Sequence, residues 1–175
     1  MILLEKSLSP FKSLIAFEFS KYSSCFEVMN QIEDSFGFHV FEVSPTPAGG
    51  ILILTASSNE KIVSFYSSQK EAQSKTLIDS CYIQELDEKV LTAYLSQNPI
   101  PKINNLNFYE SNSLCEAMEY GQNIVSAGAE IIDFRIIRST HNRAIIAYSG
   151  NMLDHKSVQI DMPSVLVKSY FEILK

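Results

Sequence analysis

Two stretches of this chain follow the same plan of helix, turn, strand, turn and strand. That repetition limits the available folds more than any single motif does. SLCEAMEYGQNIVSAGAEIIDFRIIRSTHNRAIIAYSG runs from Ser113 to Gly150, and CFEVMNQIEDSFGFHVFEVSPTPAGGILILTAS, from Cys25 to Ser57, is a looser and earlier copy. The spacing is too long and the copies too few for a solenoid, so the pattern reads as a domain duplication.

Taken in order, residues 1–11 are a lead-in and residues 12–97 the first copy. Ser13 to Ser20 reads as a strand whose apolar residues fall on both faces, which predicts cover on each side. Ser23 or Ser24 suits the N-cap of a helix carrying Val28, Met29, Ile32 and Phe36 at helical spacing, with Gly37 as its C-cap. Phe38–Val43 and Gly50–Thr55 are strands, and the two prolines and paired glycines between them predict a projecting loop. A helix capped by Ser58 or Asn59 and running to Ala72, a strand over Lys75–Ile83 and a short helix from Asp87 to near Ser96 complete the unit. This is the split βαβ order of a ferredoxin-like domain plus a terminal helix.

The Pro- and Asn-rich residues 98–105 form a linker, and residues 106–175 repeat the plan in abbreviated form. Leu106–Tyr109 is a strand, a cap at Ser111–Ser113 starts a helix over Leu114–Ala127, and Gly128 closes it. Strands Glu130–Ile137 and Arg143–Tyr148 follow. Only Asn151–Lys156 stands where the first copy has a full helix. A strand over Ser157–Asp161 and a helix over Ser164–Leu174 then match the earlier ending, with VLVKSYF set against KVLTAYL. A sheet that has lost its covering helix must bury its apolar face elsewhere, which favours an oligomer. The expected class is α+β, two ferredoxin-like copies each with a terminal helix.

With 46% apolar and 19% charged residues the chain can bury a real core. A net charge of −6 with scattered basic residues argues against a nucleic-acid partner. No stretch has the length of a membrane span, and the N-terminus lacks a signal-peptide pattern, so a cytoplasmic protein is expected. Cys25, Cys81 and Cys115 have no metal spacing and read as buried, reduced thiols, although a helix start at Cys25 or Cys115 could lower a thiol pKa. His39, His141 and His155 share no ligand spacing, and no phosphate-binding glycine loop is present. Neither a catalytic constellation, a metal site nor a cofactor is expected.

The element order resembles the shell-protein domain of bacterial microcompartments, and two copies in one chain resemble the tandem-domain shell proteins that assemble as trimers with six-fold pseudo-symmetry. YESNSLCEAMEYGQNIVSAGAEIIDFRIIRSTHNRAIIAYSG carries the better match. SPTPAGGILILTAS falls where that family has a glycine-containing pore turn. The family's edge lysine near the end of the first helix has no counterpart in Glu33–Phe36 or Val125–Gly128. The resemblance implies a non-catalytic assembly protein that forms a homo-oligomer, a trimer, with other shell subunits as further partners. It places Thr46, Pro47, Ala48, Gly49 and Gly50 of one copy, and Arg138, Ser139, Thr140, His141 and Asn142 of the other, at a central opening. Arg138, His141 and Arg143 would there present positive charge to a small anion. The bland alternative makes both segments exposed hairpin turns. A different function class also fits the fold, a small-metabolite-binding regulatory module of ACT-like type, and an enzyme using a cleft between the copies is a third possibility.

Overall fold

The computed structural model describes residues 12–32, 37–57, 61–97, 103, 105–138, 142–150 and 165–172. The expected strand over Ser157–Asp161, the segment Asn151–Lys156 and the caps Ser58 and Asn59 lie outside them. The chain divides into two compact units that part between Leu86 and Asp87.

The first unit runs β1 (Ser13–Phe19), α1 (Ser23–Met29), β2 (Phe38–Thr46), β3 (Gly49–Ala56), α2 (Ile62–Ala72) and β4 (Leu77–Ile83). Its sheet has the order β2-β3-β1-β4, and β1 is antiparallel to both its neighbours. That is the ferredoxin-like arrangement the element order predicts. All seven residues of β1 are buried, as an apolar run without alternation requires. Ile15, Phe17 and Phe19 meet Leu52, Leu54 and Val43 on one face of the sheet. Cys25 and Val28 of α1 and Ile62 and Phe65 of α2 close the core over them.

Helix α1 is shorter than its apolar stripe predicts. After Met29 the chain tightens, Gln31 N–H donating to Val28 O at 3.0 Å and Ile32 N–H to Met29 O at 3.1 Å. Bonds to the third residue back are how a helix ends without a glycine. Met29 and Ile32 still pack against the core. Neither Ser23 nor Ser24 is the N-cap: that position is Tyr22, whose side chain makes no capping bond. The Ser24 hydroxyl donates instead to Thr76 Oγ1 at 2.9 Å. It belongs to a polar seam in which Gln69 Nε2 donates to Gln31 Oε1 at 2.9 Å and Gln73 Nε2 to Glu27 Oε2 at 3.3 Å.

The second unit runs α3 (Glu88–Tyr94), β5 (Asn105–Ser111), α4 (Leu114–Ser126), β6 (Glu130–Arg138), β7 (Asn142–Ser149) and β8 (Val165–Glu172). Its sheet repeats the first one's order as β6-β7-β5-β8. Two expectations change here. The helix expected over Ser164–Leu174 is a strand: β8 pairs antiparallel with β5 from Asn105↔Glu172 to Ser111↔Val165. Val165, Val167, Tyr170 and Phe171 are strand-favouring residues, and β5 needs a hydrogen-bonding partner on its second side. The match of VLVKSYF to helical KVLTAYL was a likeness of composition. Hence, among the described residues, no helix follows the sheet of the second copy. Helix α3, read as the end of the first copy, packs with the second unit: Val90 lies against the Gly121 position of α4, and Tyr94 meets Phe134 edge-on at 5.4 Å.

The apolar stripe of α4 is buried as predicted, including Leu114, Ala117, Met118, Gly121, Ile124 and Val125. Ser113 Oγ accepts from Glu116 N–H at 2.9 Å. Ser111 Oγ accepts from Ser113 N–H at 3.0 Å and donates to Glu116 Oε2, also at 3.0 Å. Gly128 N–H donates to Val125 O and Ala129 N–H to Ile124 O, closing the far end with a Schellman turn. Ser113→Ala removes the acceptor for an N-terminal N–H and is expected to cost about 1 kcal/mol in denaturant unfolding. An unchanged midpoint would mean that the cap carries no stability.

Candidate functional site

The first of the two expected turns is a tight hairpin and does not project. Strand β2 runs through Pro45 to Thr46, pairing Pro45 with Gly50 and Thr46 with Gly49, so the turn shrinks to Pro47-Ala48. Proline is tolerated because β2 is an edge strand, where one side of the backbone needs no ladder donor. The end of the hairpin is pressed against the β1–α1 connection. Gly49 has φ +146°, and a Cβ there would stand 2.0 Å from Phe19 O. At Gly50 a Cβ would meet the Cys25 sulfur and the Tyr22 ring, each at 2.8 Å. The paired glycines therefore serve close backbone packing. Thr46 Oγ1 is buried there without a hydrogen-bond partner.

Of the second turn, Arg138 and Asn142 are described as the backbone ends of β6 and β7, whereas Ser139, Thr140 and His141 lie outside the described residues. The two hairpins hold equivalent places in their sheets, β2–β3 in one and β6–β7 in the other.

The thiols Cys25, Cys81 and Cys115 are all buried. Burial pushes Cys25 up from 9.0 to about 12, only partly opposed by a backbone hydrogen bond, so the helix start does not activate it. Among the described residues no group of three His, Cys, Asp or Glu side chains could hold a metal ion, and no helix is long and apolar enough to cross a membrane.

One polar cluster escaped the sequence reading. Tyr109 of β5 stacks on Tyr120 of α4 at 3.8 Å, and the Tyr120 and Tyr148 hydroxyls lie 3.0 Å apart. All three rings are buried. Burial raises each phenol above its ordinary range; Glu116 adds to this at Tyr109, and the contact with Tyr120 adds to it at Tyr148. Asn107, one position along the same strand face, is buried with Oδ1 unpartnered. The signal was present in the alternation Asn107, Tyr109, Ser111 along β5, where the aligned face of β1 reads Ile15, Phe17, Phe19. In the first unit the Tyr66 hydroxyl donates to Ser80 O at 3.1 Å.

Compared with known proteins, the chain matches no family model and no curated protein sequence. Its fold matches a microcompartment protein from Desulfitobacterium hafniense at a TM-score of 0.78, covering 94% of this chain and 96% of that one at 14% identity. The small subunit of acetolactate synthase from Thermotoga maritima and a putative glycine cleavage system transcriptional repressor superpose with TM-scores of only 0.30 and 0.31, at 14% and 11% identity. They cover 93% and 94% of this chain, and 94% and 100% of their own, but the fit is too poor to bear on the fold. The chain thus has the fold of a microcompartment protein.

Gly49→Ala combines a forbidden contact with an unfavourable φ and should cost about 3 kcal/mol or more. Gly128→Ala, at φ +83° with nothing within 4 Å of its Cβ, should cost about 1 kcal/mol. Equal costs in denaturant unfolding would contradict the packing argument. A neutral, buried Cys25 titrates later in the folded than in the unfolded chain. Its stabilising contribution is therefore full below about pH 9 and is lost as the pH rises towards 12. Between about pH 8 and about pH 10.5 the unfolding midpoint should fall, and fall less in Cys25→Ala; an equal fall in both would refute it.

Proposed function

We propose that this protein is a non-catalytic structural subunit that builds a ring-like homo-oligomer, similar to a tandem microcompartment shell protein. The observation that carries the reading is the sheet plan used twice in one chain, together with a fold match to a microcompartment protein that spans nearly all of both chains. Two equivalent units per chain let three chains present six equivalent positions around one axis, a closed arrangement that cyclic symmetry allows.

In such a ring the hairpin turns at Thr46–Gly50 and Arg138–Asn142 would alternate around the central opening. The first supplies a narrow rim of small side chains and the second a basic one. Arg138, His141 and Arg143 there favour passage of a small anionic metabolite. Other shell subunits are the further partners, nucleic acid and membrane are not, and the compartment is the cytoplasm. Without the edge lysine of the shell family, lateral tiling would rest on other contacts.

Absolute mass by light scattering on a sizing column tests this reading. The expected result is three times the chain's 19.7 kDa. A monomer or dimer at every concentration and salt would sink the ring and bring a metabolite screen for the ACT-like alternative to the front.

A further inference from the structure

We infer that β6, an edge strand of the second sheet, pairs antiparallel with β6 of a second copy of this chain, in a two-fold contact centred on Phe134. The sheet order β6-β7-β5-β8 gives β6 a strand neighbour on one side only. Its residues read EIIDFRIIR. From either end towards Phe134 the order is charge, two isoleucines, charge, and every charge has its opposite at the mirror position: Glu130 with Arg138, and Asp133 with Arg135. Laid antiparallel on its own copy about Phe134, the strand sets Ile132 opposite Ile136 and Asp133 opposite Arg135, and the two-fold axis repeats both pairs. Residues 132–136 suffice for this ladder, in which the main chain supplies the hydrogen bonds and alternate side chains the specificity.

The central charges already share one face. Arg135 Nε donates to both Asp133 carboxylate oxygens at 2.8 Å. The Arg135 side chain is 61% exposed and that of Asp133 36%. An ion pair so open to water contributes little to the stability of one chain. Across a two-fold axis the same residues form an alternating set of four, each arginine beside the aspartate of its own chain and that of the copy. Opposite charges placed directly across a ladder stabilise it, and like charges destabilise it. Ile132 and Ile136 beside them are half-buried.

The same charges select the register and the occupant. A slip of two residues sets Asp133 against Asp133 or Arg135 against Arg135, and a slip of one sets each charge against an apolar residue. Parallel pairing in register brings like charges together. Mirror symmetry of this kind serves no purpose towards an unrelated strand, so the partner is the strand's own copy. The equivalent edge of the first sheet, β2, is guarded, because Pro45 lacks a donor and the register shifts between Val40 and Glu42. Strand β6 has no proline. A ladder this short buries less than a stable interface needs, so pairing grows with concentration. It is distinct from the ring contact and can join single chains or whole rings.

Charge reversal with mixing tests the pairing. Arg135→Asp places two acids at the centre of β6 and Asp133→Arg two bases, so each variant repels its own copy and attracts the other. Sedimentation equilibrium over a concentration series weighs the wild type, each variant and their equimolar mixture, with circular dichroism to verify folding. The wild type is expected to pair its basic unit, chain or ring. Each variant alone should associate at least about tenfold more weakly, and the mixture should recover most of that loss. A wild type that never pairs, a variant that pairs as the wild type does, or a mixture as weak as its components overturns the inference. The mass of the basic unit reads the assembly separately. Three chains in every sample keep the ring even where the edge fails, and a single chain that pairs keeps the edge and removes the ring. Should a reversal fail to fold, Asp133→Asn and Arg135→Gln are each expected to weaken association about threefold or more, and undiminished association in both would overturn the inference.

Discussion

Each unit depends on a strand hydrogen-bonded along both of its edges: β1 lies between β3 and β4, and β5 between β7 and β8. An inner strand has no solvent to satisfy its backbone, so every N–H and C=O must find a neighbour. That demand fixes the rest of the unit. It sets the antiparallel register with the hairpin on one side and requires a returning strand on the other. It also brings the apolar residues of the inner strand under the helices, Cys25 and Val28 of α1 in the first unit and the buried face of α4 in the second. A β-bulge falls at the same step of both inner strands, after Glu18 and after Glu110. A shared irregularity of this kind argues for common descent of the two units more strongly than shared regular pairing does.

The units differ in what fills the layer under their helices. In the first, Ile15, Phe17 and Phe19 give an apolar core. In the second, the corresponding positions are Asn107, Tyr109 and Ser111, and Tyr120 and Tyr148 add two hydroxyls. Buried polar groups are costly unless they are bonded. Most of these are, through the paired tyrosine hydroxyls and the Ser111–Glu116–Ser113 cap. The second unit thus holds its core by directional contacts where the first relies on apolar packing.

Much of this architecture was legible in the residues. The hairpins, the capped helix α4 and the inner strand β1 announce themselves through spacing, caps and apolar runs. The hairpin at Pro47-Ala48 was misjudged because proline and glycine signal a turn without saying how tightly it closes. Here the closeness is set by Phe19 and Ser20, which are distant in sequence. Strand β8 was misread because a short, largely apolar segment such as VLVKSYFE suits a helix and a strand equally well, and only the second side of β5 decides between them. The bulge after Glu18 left no local trace, since register is a property of two strands. The candidate rim residues were placed by resemblance to a shell family, and of these the structure describes the first turn and the backbone ends of the second.

The account stands or falls on the second unit repeating the first, and the deciding segment is 165–172. Backbone NMR with isotope-labelled protein reads it directly. The account predicts extended-strand carbon shifts over Val165–Glu172 and cross-strand contacts linking Tyr109 with Lys168 and Asn107 with Tyr170. Helical shifts over those residues, with no contact to β5, would contradict it.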